Sequence, residues 1–131
     1  MPVKEIITEK VASPTKFGSP TSLGMRVGNT LYISGMLPWD LDRKVTAPGD
    51  IKAQTRQALK SVEAVLQVAG GTLKNIVKIN LYLTDIRDKQ AVWDVRKEMF
   101  GDHRPASTLV EVNHLVDPLA KIEIEAVAIL E

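Results

Sequence analysis

The chain contains no cysteine. Disulfides, thiolate metal sites and cysteine nucleophiles are therefore excluded. Nor is one charge in excess: 17 Lys and Arg stand against 16 Asp and Glu, a net charge of +1 at pH 7, with the two signs interspersed. No basic stripe is present to follow a phosphate backbone, which argues against a nucleic-acid partner. No apolar run approaches the roughly 20 residues of a membrane span, so no membrane partner is expected. The first residues, Met1-Pro2-Val3-Lys4-Glu5, are charged early and lack the apolar centre of a signal peptide, which makes a cytoplasmic location the expectation. Histidine is scarce, with His103 and His114 the only two. Neither has further ligands nearby at metal spacing, so no metal is expected, and both read as surface or partly buried polar residues. Internal repeats and low-complexity segments are also missing.

What is present suits one ordinary domain, residues 1–131, with 44% hydrophobic residues to build a core. Val3 to Thr8 reads as a short strand. Residues 12–22, with two prolines, a glycine and several hydroxyl residues, read as an irregular loop, either functional or a plain connector. Leu23–Val27 and Thr30–Leu37 form two strands joined at Gly28-Asn29, a tight-hairpin signal. Ser34-Gly35 ends the second strand, where Gly35 permits close approach of a ligand and Ser34 offers a hydroxyl; a simple strand-end bulge is the other reading. No Gly-x-Ser-x-Gly elbow surrounds Ser34, so it is a poor serine-hydrolase nucleophile.

Residues 39–48 are turn-rich. Asp50 stands as the N-cap of a helix running to about Ala69, with Ala58, Leu59, Val62, Val65, Leu66 and Ala69 on one face. Gly70-Gly71 stops it and, following a helix rather than a strand, matches no dinucleotide fingerprint. Leu73–Thr84 contains the strongest strand, with Val77, Ile79, Leu81 and Leu83 alternating against Lys78, Asn80 and Tyr82. A second helix spans about Ile86 to Phe100 with a core stripe of Ala91, Val92, Val95 and Met99. Trp93 lies off that stripe, on a flank with Lys89, Arg96 and Phe100, a position typical of packing or an interface. Ala106–Leu115 is a strand with Thr108, Val110, Val112 and His114 on one face and Ser107, Leu109, Glu111 and Asn113 on the other.

The last strand, Lys121–Leu130, organises the rest. Ile122, Ile124, Ala126, Ala128 and Leu130 form a core face. Its other face carries Glu123, Glu125, Val127 and Ile129, half acid and half apolar. Solvent alone does not explain that face, and a cover by another subunit does. Under such a cover Glu123 becomes a desolvated general acid or base; left open, Glu123 and Glu125 are ordinary solvated strand residues. The element order makes this an α+β fold: a mixed β-sheet with two helices on one face.

Several phrases, in this order, resemble the Rid family, also called YjgF or reactive intermediate deaminases. They are Gly28-Asn29, then Tyr32-Ile33-Ser34-Gly35 with Pro38, Gln54 and Gln57, Val65 to Gly70, Ile76-Val77-Lys78-Ile79, Leu83-Thr84-Asp85, Arg104-Pro105-Ala106 with Val110-Glu111-Val112, and Ile122-Glu123-Ile124-Glu125-Ala126. The resemblance covers nearly the whole chain. It implies a chorismate-mutase-like fold and a homotrimer with a central β-barrel. It also implies clefts between subunits in which an imine or enamine, such as 2-aminoacrylate, is hydrolysed to a keto compound and ammonia. No metal or organic cofactor is implied.

Carried over by position, Glu123 falls on the family's water-handling glutamate, and Ser34 and Gly35 fall on its Ser-Gly turn. The carboxylate-binding arginine is absent: Pro105-Ala106-Ser107-Thr108 stands where the family writes Pro-Ala-Arg-Ser/Thr, so Ser107 takes the arginine position. Thr21 replaces an aromatic of the early loop, Trp93 a helical asparagine, and Met36 the glutamine after Ser-Gly. With Leu109, Met36 and Trp93 make the expected small-molecule cleft more apolar, suited to a substrate larger or less acidic than 2-aminoacrylate. Arg104, three positions before Ser107, is a further candidate for reaching that cleft. A non-catalytic trimeric small-molecule-binding protein of the same fold is the alternative. Ribonuclease activity, also attributed to the family, ranks last, because the chain offers no histidine pair or basic groove.

Overall fold

The computed structural model describes residues 2–131; residue 1, where the expected domain begins, lies outside the described residues. Six strands and two helices alternate as β1 (Val3–Ile6), β2 (Gly24–Val27), β3 (Thr30–Met36), α1 (Ile51–Val68), β4 (Ile76–Leu83), α2 (Lys89–Phe100), β5 (Ala106–Glu111) and β6 (Ile122–Ile129). They form one sheet in the order β1-β2-β3-β6-β4-β5. β1, β2 and β3 make an antiparallel meander, turned between β2 and β3 at Gly28-Asn29, where Gly28 has φ 59°. Helix α1 carries the chain from β3 across to β4 and leaves a gap, which β6 fills antiparallel to both. Helix α2 then returns the chain to β5, parallel to β4, as a β-α-β crossover.

The sheet alternates as its sequence demands. Ile122, Ile124, Ala126, Ala128 and Leu130 of the last segment are buried, as are Leu31, Ile33, Ile79, Leu81 and Leu83 from its neighbours, and all but Leu130 lie in sheet strands facing the helices. The expected α1 face packs on them through Ala58, Leu59, Val62, Val65 and Leu66, with Ala69 at its margin. Asp50 caps α1 by accepting a hydrogen bond from the Ala53 amide at 3.0 Å. Buried Gln54 clamps the approach to β6: its amide donates to the carbonyls of Ala47 and Leu119, and its Oε1 accepts from the Lys121 amide. Burying this side chain is tolerable because all of its polar atoms are used.

Four expectations need correction. A register shift between Ile76 and Lys78 turns Ile76 into the core and Val77 out to 45% exposure. A bulge of this kind breaks the period-2 pattern that placed Val77 inside. In α2 the buried residues are Val92, Val95 and Phe100, with Ala91 and Met99 only partly covered; the helix tilts Phe100 inward, toward His103, whose ring stacks 6.1 Å away. Helix α2 starts later than its pattern, at Lys89, behind a short 3-10 turn over Ile86–Asp88. Finally, β5 stops at Glu111, because β4 ends with Leu83 and offers no further partner.

Candidate functional site

The site begins at a bulge. Along β3 and β6, Ile33 pairs with Ala126 and Met36 with Ile124, so Ser34 and Gly35 together oppose Glu125 alone. Extra residues of this kind re-aim the backbone and are frequent beside active sites. The strand parity of β6 sends Glu123 to the sheet's open face, against Gly35. A Cβ added at Gly35 would collide with the Glu123 carboxylate, with Cδ only 2.9 Å away. Glycine leaves the volume that the carboxylate occupies here, so any side chain at this position would displace Glu123.

Glu123 is half-buried even in the single chain. Burial pushes its carboxyl above the usual range, and the charge of Glu125 pushes in the same direction. Among the described residues no side-chain donor reaches it. Glu125, two positions on, has the opposite setting: it accepts from the Tyr82 hydroxyl at 2.5 Å and from the Asn80 amide at 3.1 Å. That hydrogen bond raises the Tyr82 phenol. Two carboxylates on one strand thus differ in role, one held by donors and the other left bare over a glycine.

Ser34 donates its hydroxyl to the Ser22 carbonyl at 2.5 Å and its amide to Leu23 O at 3.0 Å. Behind this turn lies a small cavity of about 70 Å³ whose lining includes Thr21, Ser34, Gly35, Met36 and Arg43. Met36 itself points into the core. Arg43 was not singled out in the sequence. It is a non-glycine residue at positive φ, 56°. Its guanidinium lies between Phe17 and Trp39, 4.9 and 4.8 Å from the ring centroids, and donates to Ser19 Oγ at 2.8 Å. The signal for it was the turn at Asp40, whose carboxylate accepts from the amides of Asp42 and Lys44.

Trp93, Ser107 and Leu109 stand elsewhere. Ser107 pairs with Ile79 and Leu109 with Leu81, so both face the helices, whereas Glu123 faces away from them. Leu109 packs partly against the main core. Ser107 accepts a hydrogen bond from Arg96 Nη1 at 2.8 Å. Trp93 is 42% exposed, with Lys89 Nζ 4.7 Å from its ring. It lines an open cleft of about 740 Å³ with Arg96, Lys97, Phe100, His103 and Arg104. Within one chain the sheet separates the two groups: Glu123, Gly35 and Ser34 on one side, Trp93, Ser107 and Leu109 on the other, with Thr21 at the small cavity behind the bulge. Arg104 precedes β5, is exposed and belongs to the second group.

Two helices on one face of a mixed six-strand sheet place the chain among the chorismate-mutase-like folds to which the Rid and YjgF proteins belong. The endoribonuclease L-PSP family model matches residues 13–130. A 3-aminoacrylate deaminase, RutC, from Acinetobacter baylyi is 38% identical over 128 residues, covering 98% of each chain. A 2-iminobutanoate/2-iminopropanoate deaminase from Dermatophagoides farinae is 33% identical over 131 residues, covering 100% of each. A solved structure of a conserved Rid-family protein from Yersinia pestis superposes with a TM-score of 0.89 at 34% identity, covering 98% of this chain and 100% of that one. The chain belongs to this family, the endoribonuclease L-PSP or Rid family.

Proposed function

We propose that the protein hydrolyses a reactive imine or enamine other than 2-aminoacrylate, without a cofactor, in a cleft between subunits of a homotrimer. The observation that carries this is Glu123, half-buried, without a donor and seated on Gly35. Its ionised form takes a proton from water as the oxygen attacks the C=N carbon. It gives that proton to the nitrogen, leaving a carbinolamine. Ionised again, it takes the hydroxyl proton as the C=O bond forms and passes it to the departing nitrogen as the C–N bond breaks, so imine and water become a carbonyl compound and ammonia. The raised pKa suits both halves of the exchange. An enamine enters the same path once its carbon is protonated to give the imine. Ser34 and the main chain at Gly35 hold the polar atoms of the substrate, Thr21 lines its near side, and Trp93, Ser107 and Leu109 of a neighbouring copy shape the other, while Met36, turned into the core, only backs the bulge.

The trimer reading rests on the open sheet face. Tyr32, Val77 and Ile129 are 53, 45 and 45% exposed there, beside half-buried Val127. A shallow depression of about 430 Å³ runs over this face past Met25, Tyr32, Asn80, Glu125 and Val127. Apolar residues gathered on one sheet face favour a protein cover. Deaminases among the relatives support the reaction class.

The test is ammonia release from freshly generated imines, acidic and neutral, by wild type and Glu123→Ala. Acceleration that the substitution removes, with the assembly intact by sedimentation, supports the reading. The alternative, a trimeric binding protein without turnover, draws on Ser107 standing where the family has arginine. Ligand-induced thermal stabilisation with no acceleration of any panel member would favour it.

A further inference from the structure

Two arginines are held by carboxylates among the described residues: Arg56 reaches Glu98 at 2.7 Å and Arg87 reaches Asp85 at 2.8 Å. Arg96 differs. It is partly buried, and among the described residues no carboxylate lies within ion-pair distance of it. Its polar side-chain partner is the neutral Ser107 hydroxyl, and its guanidinium stands 5.9 Å from the Phe100 ring centroid. A guanidinium has five N–H donors in a fixed fork. Ser107 takes one, which leaves the rest of the fork free to turn toward the cleft that Arg96 lines. Partial burial lowers its pKa, the direction expected of a cation half withdrawn from water without a counter-charge.

The surroundings favour an anion. Lys97 and Arg104 share the cleft with Arg96, against one acid, Asp102. Trp93 and Phe100 supply apolar wall. A cation in the last turns of α2 also complements the helix dipole, and the bond to Ser107 also fastens α2 to β5. Those roles account for a positive charge at the helix end. They do not account for a desolvated fork beside a cleft, with only a hydroxyl to hold it.

We propose that Arg96 is the carboxylate receptor of this cleft, delivering from helix α2 the fork that the Rid pattern places on the strand at the position of Ser107. Ser107 is then a positioning residue, which orients the guanidinium in place of carrying one. The inference rests on the reaction proposed above and narrows it: the substrate is an imino or enamino acid whose carboxylate is read by Arg96 and whose apolar portion lies along Trp93. The smaller acidity expected from the missing strand arginine is thereby reversed.

Binding can be tested without turnover. The full chain is titrated with 3-phenylpropionate and with its uncharged amide, followed by amide NMR shifts. The carboxylate is expected to shift α2 and β5 resonances and to bind at least ten-fold more tightly than the amide, less so as salt rises. Arg96→Gln should abolish the difference between the two probes. Arg96→Lys, which keeps the charge and loses the fork, should retain only part of it. Adding Ser107→Arg to Arg96→Gln should restore it, a rescue that a purely structural α2–β5 fastening would not give. Equal binding of acid and amide by wild type, shifts confined to other elements, or Arg96→Gln binding the acid as wild type does would each overturn the inference. Acid-selective binding lost in Arg96→Gln, with no imine turned over, would leave the receptor standing and remove the deaminase reading. Turnover with no loss of acid selectivity in Arg96→Gln would do the reverse.

Discussion

The two sides of the sheet hold charge in different ways. On the open side, Glu123 is placed by backbone: a bulge, a glycine and the parity of β6 fix it, and no side chain holds it. On the helix side, Arg96 is placed by side chains, through Ser107 and Phe100, on an open cleft. A group placed by backbone resists change, since moving it means rebuilding the sheet. A group placed by side chains can be exchanged one residue at a time. On the reaction proposed above, chemistry and selectivity would then sit apart, the proton-handling end built into the sheet and the recognition end open to rewriting.

The sharpest way to break the comparison is Gly35→Ala. The added methyl meets the flexible end of Glu123, so the side chain swings aside and the fold survives. Deaminase turnover should fall about 100-fold or more from misplacement of the proton carrier, while circular dichroism stays native. Glu123→Gln comes next, with a loss of about 10²–10⁴ in turnover and an opposite effect on stability. Glu123 has a raised folded-state pKa, so the folded chain binds its proton more tightly than the unfolded chain does. The stability this contributes is present below the ordinary glutamate pKa and is lost as pH rises through the folded value. Thermal melts should therefore show Glu123→Gln more stable than wild type at neutral pH, with the advantage vanishing toward pH 4.

Glu125→Gln refines the open side. It removes the neighbouring charge that helps raise Glu123, so the acid limb of the pH–rate profile should move to lower pH. Burial, the larger cause, remains, so the limb should stay above the range of a free glutamate. Trp93→Ala should have the smallest effect on folding, within about 0.5 kcal/mol for an exposed surface side chain. Its effect should be confined to KM for imines with a bulky apolar arm, with kcat unchanged.

The fold was readable because period-2 and period-3.6 patterns were clean where burial is one-sided, as in β6 and α1. It failed where two short elements meet: at Ile76-Val77 the bulge inverts the pattern, and at residues 112–115 an extended sequence runs on past its partner. Of the site, the outward face of Glu123 was readable from parity, but its contact with Gly35 was not: the space at Gly35 read as room for a ligand is taken by the Glu123 carboxylate, brought there by a pairing between strands far apart in sequence. Arg96 was noted only as a neighbour of Trp93, because its partner Ser107 is distant in sequence and a hydrogen bond between helix and strand leaves no local signature. Strand parity alone would have placed Ser107 toward α2. Arg43 escaped for a different reason, since a left-handed arginine breaks the usual preference for glycine at that conformation.

One feature of the sheet bears on how the protein is made. β6 lies between β3 and β4, and Thr30 pairs with Ile129, near opposite ends of the sequence. Neither neighbour has its inner partner until the last strand is synthesised. Contacts of such long separation close slowly, so the nascent chain emerges with two half-sheets whose inner edges stand open, and such edges invite pairing with other chains. The same insertion that completes the sheet carries Glu123 onto Gly35. Closing the sheet and seating the carboxylate are therefore one event, and a chain interrupted before β6 lacks Glu123 altogether.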